Sequence, residues 1–352
     1  MVEDEVFEQL ERKSTFLACS VVLVASLGLA GWWFGIEFLK HPIPGAATQN
    51  PLTAVQFIIL VAAFFLLTPP SPSNNKLRFG SLLLLLPLSV GLYTLLDAFF
   101  HFPVHIDQIL FREKLMLDAA TRIPTRMALN TAVNFILSAT SALMIGWAPS
   151  RAARHQVVNL IVALIATFVL LGYLYKVPEF YGVLYYIQMS PATATCFVLF
   201  AVALLLSTSN KGLMRELTGP YSGSLVARYL IPSAIVLPVL IGYLRLWGHW
   251  HKVFSVEMGV TIIVLSFMIV FVVAVWLSVT ALNKKDTREK KTDIELSSLN
   301  DKLQTVNKDL AVLNQEFLAS NEELLAGNEE LTIINEKWKW QIEQLQNKGT
   351  NN

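Results

Sequence analysis

The chain has 352 residues, 54% of them hydrophobic and only 15% charged, with a formal net charge of +1. Soluble domains carry about 25% charged residues, so this composition argues against a water-soluble globular protein and for one that meets lipid. The near-neutral balance, without a large basic block, excludes nucleic acid as an expected partner.

Two regions follow one another along the chain. Residues 15–282 form a series of apolar blocks, whereas 283–352 are polar and rich in Glu, Asn, Lys and Leu. The chain opens on an acidic segment containing Glu3, Asp4, Glu5, Glu8 and Glu11. A secretory signal needs a basic start and a small-residue cleavage site, so the first apolar block is expected to be retained.

A spanning helix needs about 20 apolar residues. Eight segments qualify: 15–35, 52–68, 79–99, 128–148, 157–175, 191–207, 229–247 and 258–282, of which 52–68 and 191–207 are the shortest. The expected fold is an all-α membrane protein: a cytoplasmic tail over 1–14, eight transmembrane helices as four hairpins over 15–283, a cytoplasmic coiled coil over 284–348 and a disordered tail over 349–352. With both termini inside, the cytoplasmic segments hold twice as many Lys and Arg residues as the opposite side. The positive-inside rule therefore favours a multi-pass protein of the inner (cytoplasmic) membrane with both ends in the cytoplasm. Trp32, Trp33, Trp147, Trp247 and Trp250 fall at predicted helix ends, where indole rings favour the interface. Cys19 and Cys196 lie inside apolar blocks and read as packing residues.

The starts of the second, fourth and sixth helices repeat a pattern, Thr-Ala-x-x-Phe, at Thr53–Phe57, Thr131–Phe135 and Thr193–Phe197. The later two carry a methionine four residues before the threonine, Met127 and Met189. Small residues let helices approach closely and a threonine hydroxyl can bond across them. Packing is the plain reading; the sharper one is that Thr53, Thr131 and Thr193 ring a pocket at the outer face.

Ionisable residues within spans are costly and usually face the bundle interior. Asp97, Arg126, Arg245 and Glu257 are all predicted at the outer rim, and an Asp97–Arg245 pair is the simplest way to neutralise the two deepest charges. Together with Thr131, and with Thr53 and Thr193 in support, they are the candidate sensing and coupling residues. His41, His101, His105, His249 and His251 are also predicted outside. Metal sites need three or four convergent ligands, so His101, His105, His249 and His251 read as loop or interfacial residues, and no metal or other cofactor is expected. Pro87, Pro232 and Pro238 could kink their helices. A transporter would place ionisable groups beside such breaks at the midplane; here the charges cluster at the rim.

From Leu296 the chain follows a heptad. Leu296, Leu303, Leu310, Phe317, Leu324, Leu331, Trp338 and Leu345 take one seam position, and Leu299, Val306, Leu313, Ser320, Gly327, Ile334 and Gln341 the other. A seven-residue repeat of this length predicts a left-handed coiled coil, softened where Ser320 and Gly327 interrupt it. Because the membrane would hold both helices on one side, a parallel homodimer is expected.

Several of these stretches resemble the multi-helix membrane sensor region ahead of bacterial sensor histidine kinases. They include Asp97–Phe111 with His105-Ile-Asp107, Pro124–Ala132, Leu171–Tyr175, Gly212–Met214, Leu225–Arg228, Pro238–Arg245 and the helix after Glu257. The Asn-Glu-Glu-Leu repeat at 321–324 and 328–331 is similar to coils that join sensory and catalytic modules in chemotaxis-type fusion proteins. The resemblance implies a sensor that passes a signal through a parallel dimeric coil to an output domain or a cytoplasmic signalling protein. No phosphoacceptor-histidine segment, Gly-rich nucleotide loop or catalytic metal motif is found in the sequence, so no enzymatic activity is expected of this chain. A transporter or channel with an oligomerisation coil, and a membrane anchor that recruits a cytoplasmic partner, are the alternatives.

Overall fold

The structure, a computed structural model, describes residues 2–68, 72–121, 125–177, 180, 188–219, 222–253 and 255–349. Pro124 of the motif above and the expected tail beyond Gly349 lie outside them. The described residues are helical or irregular, with no strand among them. Eleven helices are described: α1 Val2–Phe34, α2 Glu37–Lys40, α3 Pro51–Leu67, α4 Asn74–Phe100, α5 Arg112–Thr121, α6 Leu129–Trp147, α7 Ala152–Tyr175, α8 Pro191–Leu206, α9 Gly212–Thr218, α10 Ser222–Trp250 and α11 Val256–Gly349. Each of the eight predicted apolar segments falls in a helix. Six are long and apolar enough to cross a membrane, while α3 and α8, with 17 and 16 residues, are shorter.

The chain divides into two compact units, Met1–Leu282 and Asn283–Asn352. In the first, six helices close a ring: α1 packs on α3, α3 on α4, α4 on α6, α6 on α7, α7 on α8 and α8 on α1. The inner helices α3, α6 and α8 also touch one another. They are the three that begin with the repeated motif. Helices that are apolar all round belong in a core, and α3 and α8 each bury a broad face, although Phe65 of α3 is 42% exposed.

Local sequence sets these helix starts. Asn50 caps α3, its Oδ1 accepting from Leu52 N at 2.9 Å, and Ser190 caps α8, its Oγ accepting from Thr193 N at 3.1 Å. Pro51 and Pro191 follow at the first helical position, where the missing N–H costs no helical bond. One turn on, Phe57, Phe135 and Phe197 meet with ring centroids 4.9, 4.7 and 4.9 Å apart. Such tilted contacts are worth about 0.5–1.5 kcal/mol per pair beyond burial. The repeat thus builds a pseudo-threefold bundle around an aromatic triad.

Small residues set the spacing between outer and inner helices. A Cβ at Gly91 of α4 would sit 2.9 Å from the Ala132 carbonyl oxygen and 3.0 Å from Ile136 Cγ1 on α6. Gly91→Ala should cost about 1–2 kcal/mol, overpacking outweighing the better helix propensity. Thermal unfolding in detergent checks this; an unchanged midpoint would mean that α4 and α6 pack less closely.

The acidic segment expected as a tail is helical, since α1 begins at Val2. Packing starts at Ser14, which is buried and whose Oγ donates to Ala203 O at 2.7 Å. Trp32, expected at an interface, is 1% exposed, because its Nε1 reaches inward to donate to Gln49 O at 2.9 Å. The other four tryptophans are exposed, as expected. Cys196 is buried and Cys19 exposed, and both are free thiols. Helices α4 and α10 run on through Pro87, Pro232 and Pro238.

The fourth hairpin stands apart from the ring. Tyr175 Oη donates to Val239 O of α10 at 3.0 Å, and Lys176 lies 4.8 Å over the Trp250 ring. Beyond these contacts, the apolar windows of α10 and α11 have no buried residues. In the second unit the described seam side chains are exposed, among them Leu303 at 55%, Leu310 at 58% and Leu331 at 58%.

Candidate functional site

One network of polar groups in the first unit lies where α1, α4 and α7 end and α3, α6 and α8 begin. Asp97 lies in the last turn of α4, and His101 closes that helix in the left-handed region with φ 51°. The chain returns through a 3-10 turn at Ile106–Gln108 and α5 before Arg126 leads into α6. Because α4 and α6 pack side by side, this excursion brings Arg126 back onto Asp97.

Arg126 Nη2 donates to Asp97 Oδ2 at 2.8 Å, and the same nitrogen lies 3.0 Å from His105 Nδ1. A guanidinium only donates, so Nδ1 accepts where it meets Arg126; the same Nδ1 also lies 3.4 Å from Asp97 Oδ2. Arg126 Nε lies 3.6 Å from Asp107 Oδ2, an oxygen that also accepts from Met127 N at 2.9 Å. The Asp97 and Asp107 side chains are 10% and 6% exposed, that of Arg126 27%. One cation therefore serves two nearly buried carboxylates. Asp97 Oδ1 and Arg126 Nε have no hydrogen-bond partner among the described residues, which leaves the pair capacity for another group. Asp97, His101, His105 and Arg126 line one cleft of about 460 Å³, floored by Thr94, Met127 and Leu129.

A second limb of the network joins the first two hairpins. Asn50 Nδ2 donates to the carbonyls of Asp107 and Thr125 at 2.9 and 3.2 Å. The Thr48 and Thr125 hydroxyls are 2.6 Å apart, Thr125 also reaches Asp118, and His41 Nε2 lies 3.2 Å from Asp118 Oδ1. The residue that caps α3 thus anchors the loop that carries Arg126. A displacement at the cleft would strain both hairpins.

The expected Asp97–Arg245 pair does not form. Asp97 is engaged by Arg126, which its own hairpin supplies, whereas α10 meets the ring only at its edge. Arg245 lies against Gly259 at the start of α11, where an added Cβ would be 3.0 Å from its Nε. Glu257 is exposed nearby. The structure therefore separates the candidates: Asp97 and Arg126 share the cleft, and Arg245 and Glu257 belong to the fourth hairpin. Thr53, Thr131 and Thr193 are at most 2% exposed, inside the bundle beside the phenylalanine triad.

Among the described residues, the His, Cys, Asp and Glu side chains spaced to hold a metal ion are Glu37, His41 and Asp118, with ligand atoms within 4.8 Å of one another. None of the four histidines first considered belongs to that group. Asp107 and the Asn50–Thr125 limb were not singled out as site residues, and His105 only as a weak metal candidate, since no spacing rule predicts which loop carbonyl a remote side chain will meet. No protein-family model, curated protein or solved structure matches the chain.

Proposed function

We propose that this chain is the sensory input module of a bacterial two-component or chemotaxis-like signalling system. It would be embedded in the cytoplasmic membrane by eight helices, α3 and α8 included, with both ends in the cytoplasm. A stimulus at the loop end or within the membrane would be passed through α11 to a dimeric parallel coil, and from there to an output domain or a separate signalling protein. The observation that carries this reading is α11. An apolar stretch and a heptad repeat follow one another in one unbroken helix, and the heptad seam is bare. A bare apolar stripe of this length calls for a partner helix. The Asp97–Arg126 cleft is the input on this reading, being polar, partly desolvated and tied to two hairpins. A ligand there shifts the bundle only through differential affinity for two of its states.

Cysteine crosslinking in membranes tests the proposal. Single cysteines at Leu303, Leu310 and Leu331, in a background lacking Cys19 and Cys196, should crosslink to the same position of a second chain. Asp97→Asn or Arg245→Gln should change their yields. Strong crosslinks indifferent to every substitution at the loop end would leave only an anchor.

One observation favours transport as a second reading. Gln56, Asn134, Ser138 and Asn159 are fully buried in the bundle, and their side-chain polar atoms have no hydrogen-bond partner among the described residues. Polar groups facing a bundle interior often mark a solute pathway. Solute uptake into proteoliposomes, lost on Asn134→Leu, would support it over the receptor.

A further inference from the structure

The threefold repeat makes one departure stand out. Four residues before the motif threonine stand Gln49, Met127 and Met189. The first and third of these positions share a backbone contact. Trp32 of α1 donates to the Gln49 carbonyl as Tyr173 of α7 donates to the Met189 carbonyl, both at 2.9 Å. Thr94 of α4 touches Met127 Sδ at 3.5 Å. Two repeats fill this place with a thioether; the first puts a carboxamide there.

Gln49 is 5% exposed, and neither its Oε1 nor its Nε2 has a nitrogen or oxygen partner among the described residues. Its contact with the Cys196 thiol is with a weak hydrogen-bonding group. Burying a carboxamide without partners is unfavourable, and the methionines opposite show that the fold does not require one. The side chain lines a cavity of about 240 Å³ whose other walls are apolar: Val24, Leu27 and Trp32 of α1, Phe38 of α2, Ile43 of the following loop, and Pro191 at the start of α8. Lys40 also lines it, but its ammonium is held by Glu37 and lies 5.2 Å over the Trp32 ring. Gly28 leaves room for the carboxamide, since a Cβ there would sit 2.6 Å from Oε1.

We infer that this cavity is a binding site for a small neutral molecule, apolar over most of its surface, with one end that both donates and accepts a hydrogen bond. The carboxamide supplies the complementary acceptor at Oε1 and donor at Nε2. At roughly 30 Å³ per liquid water, the volume holds about eight non-hydrogen atoms. The walls come from the first and third hairpins, so an occupant would bridge them. Its consequence for signalling rests on the receptor reading above; binding itself does not.

Two isomers of suitable size test this on the full chain in nanodiscs. Heptanamide carries an N–H donor and a carbonyl acceptor, whereas N,N-dimethylpentanamide keeps the carbonyl and has no donor. Titration by saturation-transfer NMR should give heptanamide at least tenfold tighter binding. Gln49→Met, which restores the side chain of the other repeats, should abolish that preference with the melting temperature retained. Gly28→Ala should weaken it by displacing Oε1. Equal binding of the isomers, no binding of either at millimolar concentration, or a preference that survives Gln49→Met would each overturn the proposal. Coil crosslinking enters none of these readouts, so its failure would count against the receptor reading alone.

Discussion

Arg126→Ala should destabilise the bundle by about 3 kcal/mol, the low end of the range for removing one partner of a buried ion pair. The substitution leaves two carboxylates without their cation: Asp97, whose Oδ2 loses a 2.8 Å bond, and Asp107, whose Oδ2 keeps only Met127 N. Both side chains are at least nine-tenths buried, so water replaces the guanidinium only through the mouth of the cleft. Asp97→Asn should cost less, about 1 kcal/mol, because Arg126 keeps His105 and Asp107. Arg126→Lys should fall between the two, since a point charge cannot reproduce a planar fork that addresses three partners. Combining Asp97→Asn with Arg126→Ala should cost less than the two single effects added, the sign of a direct interaction. Thermal unfolding of the detergent-solubilised protein measures all four. If Arg126→Ala melted like the parent, the pair would be too hydrated to matter and the cleft would lose its structural basis.

On the receptor reading, the double substitution Leu310→Asp and Leu313→Asp should separate the coil. Four leucines would leave the seam of a dimer, at about 1.5 kcal/mol or more each. The loss is roughly 6 kcal/mol, or about 10⁴-fold in association. Crosslinking through cysteine at Leu303 should then fall to the level of a cysteine at Lys308, which lies on the opposite side of the heptad. The effect should be local to the coil, because the described seam side chains are exposed. Unfolding of the ring should therefore be unchanged. Seam crosslinks that survive both aspartates would mean that the membrane helices alone hold the chains together.

The fourth hairpin gives these results a common setting. Its helices carry long apolar faces that the ring does not cover, among them Phe271 and Trp276 at 72% and 73% exposure. Arg245 and Glu257 stand at its turn, away from the Asp97 cleft. On the receptor reading, input and output would thus fall on different elements, with Tyr175 and Lys176 among the contacts that join them. Substitution of Arg245 tests that junction rather than the cleft.

Much of the architecture was legible in the sequence for plain physical reasons. Apolar runs of helical length must satisfy their own backbone, so all eight became helices. The heptad after Leu296 keeps one face apolar and became part of a 94-residue helix. Thr-Ala-x-x-Phe marked three helix starts as alike and as sites of close packing, because small residues let helices approach. Trp32 shows the limit: composition placed it at an interface, and a single backbone acceptor, Gln49 O, drew it inside.

What the sequence by itself determined is therefore which segments are helices, which three share a motif and where the bare seam lies, since periodicity and hydropathy are local properties. Only the tertiary structure decided that Arg126 rather than Arg245 neutralises Asp97. That choice depends on α4 lying beside α6 while α10 stands at the edge. It also decided that the three motif phenylalanines meet and that Gln49 faces a cavity where its counterparts are methionines. Partners brought together across dozens of residues are set by how helices pack, and no spacing along the chain encodes that.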